Sequence, residues 1–399
     1  MKALFVYTAK VFKAGSSHYS NNLPSSIWRD RYRKLFDEVT VYARQIDVAT
    51  CSEACSDYEG VNFCLTHLGV NKKELILKRS EIYKEIEKLV LESDFIIARM
   101  GFFGVLAAKC ARLNDKPYVC ECAGSSWDDL WNYSLSGKLA ALWLQPQVKY
   151  EFAKAKFAVY VTNEYLQNEY PCKGKTIGIS NVILSKHEES VIHNRLKKID
   201  NHTNDNPYVI GTAAAVDVPY KGQRFVINAL KKLKEHGYYC LYKIAGNGNP
   251  DKLIEIAKEN GVEEYIDFVG TLPHHEMPDY FDGLDIYIQP SLQEGLPRAM
   301  IEAMGRGLPA IGFKTAGIPE LIEPIFVCRQ KNISDIVEKI EKLIQNKELM
   351  KKTAERNFRK SFEYEKEILE SKWLSFYTDA IESQVQTLET YKNVTGMDL

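Results

Sequence analysis

Two doubly wound α/β domains in series, followed by a helical tail, are what this sequence predicts. Three observations carry the prediction. Short apolar runs alternate with amphipathic stretches, the alternation breaks at a polar, Asn-rich segment and restarts, and beyond about residue 331 the pattern is almost wholly helical. A chain of 399 residues has room for two cores at roughly 100–200 residues per domain.

The first set of strands is read at LFVY (4–7), VTVY (39–42), DFIIA (94–98), PYVCEC (117–122), FAVYVT (157–162) and TIGIS (176–180). Helical patterns lie between them, as a parallel sheet wrapped by helices requires. The segment 185–206, SKHEESVIHNRLKKIDNHTNDN, is nearly free of large apolar residues, and its end is taken as the linker. The rhythm resumes at PYVIGT (207–212), CLYKIA (240–245), YIDFVG (265–270), DIYIQ (285–289) and LPAIGF (308–313). The expected domains are 1–205 and 206–374, with a last helix at about 375–399 crossing back over the first. Ligands of such sheets bind outside the carboxyl ends of the strands, so chemistry is sought in the cleft between two facing domains.

Composition narrows the function. Fifty-two Lys and Arg balance 53 Asp and Glu, which leaves no positive field to hold nucleic acid by counterion release. The nine cysteines are odd in number and scattered, without metal-ligand or disulfide spacing, and read as reduced thiols of a cytoplasmic protein. MKALFVYTAK suits a strand rather than a signal peptide, and no run of about eighteen apolar residues is present to span a membrane.

The richest stretch is 285–320, DIYIQPSLQEGLPRAMIEAMGRGLPAIGFKTAGIPE. A strand runs into a Pro-Ser turn and then a helix, with Pro297 expected in the first helical turn. The exposed amides and positive dipole end of that helix suit a diphosphate. Glu294 and Glu302 are separated by seven intervening residues. Ionised carboxylates accept paired hydrogen bonds from diols, so one can hold a sugar and the other a ribose.

At EGLPRAMIEAMGRGLP the sequence resembles the family 4 (group 1) retaining glycosyltransferases of the GT-B fold, whose signature is Glu, seven residues, Glu. Lys221-Gly222, the AGNG turn (245–248), GTLP (270–273) and GIPE (317–320) fall in the family's order. The resemblance runs over roughly 207–325. It implies a GT-B architecture of two facing Rossmann-like domains and transfer of a hexose-type sugar from UDP or GDP to a glycan or lipid-linked acceptor in surface polysaccharide synthesis. Residue by residue, it puts Glu294, with Gly295, Leu296 and Pro297, on the transferred sugar, Glu302 on the ribose, Lys221 on the diphosphate, and Gly246, Asn247, Gly270, Thr271 and Leu272 along the nucleoside. Glu294 and Lys221 are the catalytic candidates.

The chain departs from the family at Gly211-Thr212, where Gly-Arg is usual; Arg224 or Arg298, each near a helix start, is expected to replace that Arg. Gly15, in the loop after the first strand, is a candidate for backbone approach to the diphosphate and is equally readable as an ordinary loop glycine. Arg99, Glu121, Ser125 and Asp128, at strand ends of the first domain, are the acceptor-side candidates, each equally readable as a surface residue or cap. His274 and His275 read as capping or solvated rather than metal-binding. Trp127, Trp131 and Trp143 suit packing, an acceptor groove or a membrane surface, although their stretch lacks a strong basic face. No Asp-x-Asp occurs, so no metal and no cofactor beyond the nucleotide-sugar co-substrate is expected. A peripheral contact with the inner face of the membrane stays open. The rival functions are a sugar-nucleotide 2-epimerase of the same architecture and a noncatalytic nucleotide-sugar-binding subunit.

Overall fold

The computed structural model describes residues 1–51, 54–69, 72–125, 135–182, 184–203 and 205–395. The chain forms two compact units, one of Met1–Ile179 with Glu370–Leu399, the other of Ser180–Leu369.

The strands of the first unit are β1 (Lys2–Ala14), β2 (Ser17–Tyr19), β3 (Glu38–Asp47), β4 (Val61–Thr66), β5 (Phe95–Arg99), β6 (Tyr118–Cys122), β7 (Phe157–Tyr160) and β8 (Lys175–Gly178). Their order is β4-β3-β1-β5-β6-β7-β8, with β2 folded back on β1. Apart from that antiparallel hairpin the pairs are parallel. Strand β1 runs further than its apolar pattern suggests. A bulge between Val6 and Lys10 absorbs a register shift and pairing with β3 continues to Lys13. Gly15 therefore sits in the tight turn that joins Ala14 to Ser17. Its φ of +61° is what that turn demands.

The second unit contains β9 (Tyr208–Ala213), β10 (Cys240–Ala245), β11 (Ile266–Gly270), β12 (Ile286–Gln289), β13 (Ala310–Phe313) and β14 (Val327–Cys328). They form a parallel sheet ordered β11-β10-β9-β12-β13-β14. Central strands buried on both faces explain the continuous apolar runs in the sequence. Strand order reverses between β9 and β12, and the loops after those two strands are where a ligand is expected.

The polar segment 185–206, whose end is the expected linker, contains the helix Glu189–Asn201, which belongs to the second unit, so the boundary lies at 179/180 rather than 205. The cause is one buried cation. Arg195, 4% exposed, donates to the carbonyls of Phe281 (3.0 Å), Arg306 (3.2 Å) and Leu284. Lys198 reaches the Leu284 carbonyl at 2.7 Å and Asp285 at 3.1 Å. Burial pulls the Arg195 guanidinium down to about 10, against the opposing pull of Asp282 and Asp285.

The last helix, Lys366–Thr395, is longer than read. From Glu370 onward it counts with the first unit. Trp373 lies edge-on to Tyr32 at 5.2 Å and stacks on Tyr377 at 4.3 Å. The Gln384 amide bonds both backbone groups of Tyr118 at 3.2 Å. No described helix is long and apolar enough to cross a membrane.

Replacing Arg195 by Leu strands three carbonyls in the interior. Urea unfolding should show the second unit losing about 2–4 kcal/mol, with the far-ultraviolet spectrum of the folded protein kept.

Candidate functional site

The candidate residues of the second unit gather at the strand-order reversal because two loops are allowed to touch. Beyond β9 the chain makes a 3-10 turn, Pro219–Lys221, and Gly222 follows with φ +78°. A side chain at Gly222 would begin 2.0 Å from the carbonyl oxygen of Pro290, just beyond β12. Only glycine permits that approach. The Leu292 amide donates to the Tyr220 carbonyl at 2.7 Å, closing the two loops together.

Lys221 Nζ then lies 2.8 Å from Glu294 Oε1, with side-chain exposures of 23% and 11%. The same carboxylate oxygen accepts from Gln289 Nε2 at 3.1 Å. Gln289 also donates to Ser291 Oγ at 2.8 Å and accepts from Tyr287 OH at 2.7 Å. Thr315 Oγ1 donates to the Ser291 carbonyl at 2.7 Å and accepts from Gln330 Nε2 at 2.7 Å. The Gly295 carbonyl accepts from the Gly317 amide at 2.9 Å. Glu294 thus stands on a braced turn, already facing a cation.

Pro297 is the N-cap of the helix Arg298–Gly305 rather than a residue of its first turn. Leu296 and Pro297 are buried at the helix entry. Glu302 is on the helix and largely out of water. Desolvation pushes its carboxyl up from the ordinary range, with the His274 and Arg298 charges pulling the other way. His274 itself is exposed on the 3-10 turn His274–Glu276. Arg298 is exposed, and Arg224 lies over the Phe225 ring at 4.7 Å. Both stand at the first turns of their helices. Thr212, where the resemblance would place Arg, is fully buried, donating to the Ile288 carbonyl at 2.7 Å.

Across the sheet, Gly246 is fitted as closely as Gly222. Its added side chain would meet the Ala214 carbonyl at 2.0 Å. The Gly246 amide donates to the Gly270 carbonyl at 2.8 Å and the Val216 amide to the Asn247 carbonyl at 2.9 Å. The ends of β9, β10 and β11 therefore form one ledge, with Asn247, Gly270 and Thr271 exposed and Leu272 partly so.

The first-unit candidates do not make a comparable site. Arg99 and Glu121 are each 7% exposed and interior. Arg99 Nη1 lies 3.9 Å from Glu121 Oε2 and its guanidinium 5.2 Å from the Tyr7 ring. Glu121 accepts from Tyr32 OH at 2.7 Å and from Tyr377 OH. Glu121 ties the last helix to the sheet through Tyr377, with Arg99 beside it, and both side chains lie in the interior, a correction to their reading as cleft-facing groups. Ser125 is buried, its hydroxyl 3.5 Å from Tyr170 OH. Asp128, Trp127 and Trp131 lie outside the described residues. Among the described residues, no three His, Cys, Asp or Glu side chains group as metal ligands.

Sequence reasoning missed Tyr287, Gln289, Ser291, Thr315 and Gln330. The available signal was the Gln that ends an otherwise apolar strand.

Comparison with known proteins agrees with the geometry. The family model described as glycosyl transferases group 1 matches residues 194–360. Protein CapJ of Staphylococcus aureus is 32% identical over 365 residues, covering 90% of this chain and 89% of that protein. The amylovoran biosynthesis glycosyltransferase AmsK of Erwinia amylovora is 38% identical over 110 residues, covering 26% of this chain and 27% of AmsK. In fold, the chain is similar to HepE of Anabaena, solved in complex with UDP, with a TM-score of 0.66 at 17% identity over 95% of this chain and 100% of that one.

The Glu302 environment gives a pH-dependent expectation. Its folded-state pKa is raised, so ionising it opposes folding above the unfolded-state value and has no effect below it. Glu302→Gln should therefore melt roughly 2–4 °C above wild type at pH 7.5, with the gap closing by pH 4. Thermal scans at the two pH values check this.

Proposed function

The chain belongs to the group 1 glycosyltransferases, and from that premise we propose that it moves a hexose-type sugar from UDP or GDP to a glycan or lipid-linked acceptor with retention of configuration. The observation that carries this reading is the Lys221–Glu294 pair at the strand-order reversal, 2.8 Å apart, with Glu302 further along the helix that follows Glu294.

In this reading the nucleoside lies along Gly246, Asn247 and Gly270 to Leu272, and Glu302 accepts from the ribose hydroxyls. Lys221 turns from Glu294 to the diphosphate, aided by Arg224 or Arg298 and the amides of the Arg298–Gly305 helix. Glu294, released from part of its cation, accepts from the sugar hydroxyls beside Gly295, Leu296 and Pro297. The acceptor oxygen bonds to the anomeric carbon on the face the diphosphate leaves, as the carbon–oxygen bond to phosphate breaks. A phosphate oxygen takes the hydroxyl proton. Fixed charges aimed at the leaving diphosphate supply most of the acceleration, and this reading requires no metal.

Synthesis of a polysaccharide is the proposed setting, supported by the likeness to AmsK. The proposed place is the cytoplasm, against the inner membrane face. The helix Leu135–Lys154 supports that placement. Leu139, Leu142, Trp143 and Tyr150 are 71%, 56%, 37% and 51% exposed, and their spacing puts them on one helical face. Leu77, 79% exposed, ends the helix Lys72–Leu77, and Arg79, two residues on, lies 5.0 Å from the Trp143 ring. The Leu135–Lys154 helix carries Lys138, Lys149 and Lys154 against one acid, Glu151, which is buried with Arg112 at 2.9 Å. Lys149 is paired with Glu169 at 3.0 Å, so the exposed apolar residues, with Lys138 and Lys154 beside them, supply the contact such a face offers a bilayer surface.

Two experiments test these readings. A screen of UDP- and GDP-sugars with EDTA present should find one that binds and slowly loses its nucleoside diphosphate. Glu294→Ala should cut that turnover about 100- to 1000-fold, and Lys221→Ala should weaken nucleoside diphosphate binding. Binding of no nucleotide sugar would defeat the transferase. For the membrane contact, wild type should sediment with phosphatidylglycerol vesicles and Leu139→Glu/Trp143→Glu should not, with turnover of the sugar nucleotide unchanged. Equal sedimentation of the two proteins would remove that face from the proposal.

A further inference from the structure

The chain Tyr287–Gln289–Glu294 carries more than packing. Strand β12 reads Ile-Tyr-Ile-Gln, and its two polar side chains are 0% and 2% exposed. A buried hydroxyl or amide without partners costs about 1–3 kcal/mol, so an interior strand would ordinarily hold apolar residues here. Each polar group in this case has a partner, and the bonds run one way. The Tyr287 hydroxyl donates to the Gln289 amide oxygen at 2.7 Å. That fixes which end of the amide faces outward. The Gln289 nitrogen then spends its two hydrogens on Ser291 Oγ at 2.8 Å and Glu294 Oε1 at 3.1 Å.

A flipped amide would set its oxygen against the carboxylate and leave Tyr287 without its acceptor. Burial above all, with the Glu294 and Glu302 carboxylates adding, keeps the Tyr287 phenol protonated and able to donate. Both described bonds to Glu294, from Lys221 and from Gln289, fall on Oε1. Lys221 is partly exposed and in the proposed site must also meet the diphosphate; Gln289 is fixed in the strand. When the lysine turns away, the amide bond is the one that stays.

We infer that Gln289, oriented by Tyr287, is a positioning residue that pins Glu294 Oε1 so that Oε2 is presented to the hydroxyls of the transferred sugar. The inference rests on the proposed donor site and adds to it the residues that aim its central carboxylate. It makes sugar recognition, not nucleotide recognition, the property that Gln289 controls.

The test is a double-mutant cycle on Gln289→Met, which keeps the side-chain volume and removes the amide, and Glu294→Gln. Affinities for the nucleoside diphosphate and for its sugar ester, and turnover of the ester, are measured for both single variants and the pair. Gln289→Met should lower turnover roughly 10- to 100-fold and erase most of the affinity difference between ester and nucleoside diphosphate. Its affinity for the nucleoside diphosphate itself should stay within about twofold. In the Glu294→Gln background the same substitution should change turnover less than about threefold, because the group it acts through is already gone. Tyr287→Phe, which leaves Gln289 in place, should reproduce the ester-specific loss in smaller measure, and it keeps the question decidable should Gln289→Met fold poorly. Full additivity, or equal losses for the nucleoside diphosphate and its ester, would overturn the inference. A Glu294→Gln variant as active as wild type would instead defeat the donor-site reading beneath it.

Discussion

The ion pair between Lys221 and Glu294 joins side chains 73 residues apart, and it exists because two loop backbones come closer than side chains would allow. Gly222 lies against the Pro290 carbonyl, and the Tyr220 carbonyl accepts from Leu292. A methyl group at 222 would have to displace backbone, not the end of a flexible chain. The rest of the site depends on that contact, since it fixes where the Lys221 stem begins and where the turn carrying Glu294 starts. The parallel pairing of β9 with β12 brings the two loops to the same end of the sheet; the missing side chain lets them meet.

Around this contact several buried polar groups of the second unit find partners. Thr212 accepts from Tyr242 at 2.8 Å, and Tyr280 reaches the carbonyls of Thr212 and Lys243 at 3.0 Å. Gln223 binds the Ala215 carbonyl at 2.9 Å. These bonds join β9 to β10 and tie the neighbouring helices to the strands and the loop beyond β9. An apolar residue at any one of these positions would pack, but it would not hold a carbonyl in place. Such fixed geometry matters at a site that must place charge before any ligand arrives.

The legible part of the sequence was whatever repeats. Strands buried on both faces leave runs such as CLYKIA and DIYIQ, and their alternation with helices gave the fold class. The Glu294–Glu302 pair was legible because both residues lie in one short turn-to-helix stretch of sequence. What failed to show depends on distant neighbours. The Glu189–Asn201 helix was assigned to the wrong domain, because its largest buried side chain is an Arg whose partners are carbonyls 86 to 111 residues away. Arg99 and Glu121 looked like ligand groups, because nothing local reveals Tyr32 and Tyr377 beside them. Gln289 was in view, yet one polar letter at the end of an apolar run says nothing of what it touches.

The two glutamates share a chemistry and differ in setting, and the difference suits a division of labour. Glu294 faces a lysine and an amide on one oxygen, and in the proposed donor site that lysine is shared with the diphosphate of the ligand. Glu302 has only the partial help of His274 and Arg298 against its desolvation. A carboxylate in that state gains most from ligand hydroxyls, because their hydrogen bonds replace solvation that folding removed. The first arrangement favours a group whose partners change during a reaction. The second favours one whose task is to hold on.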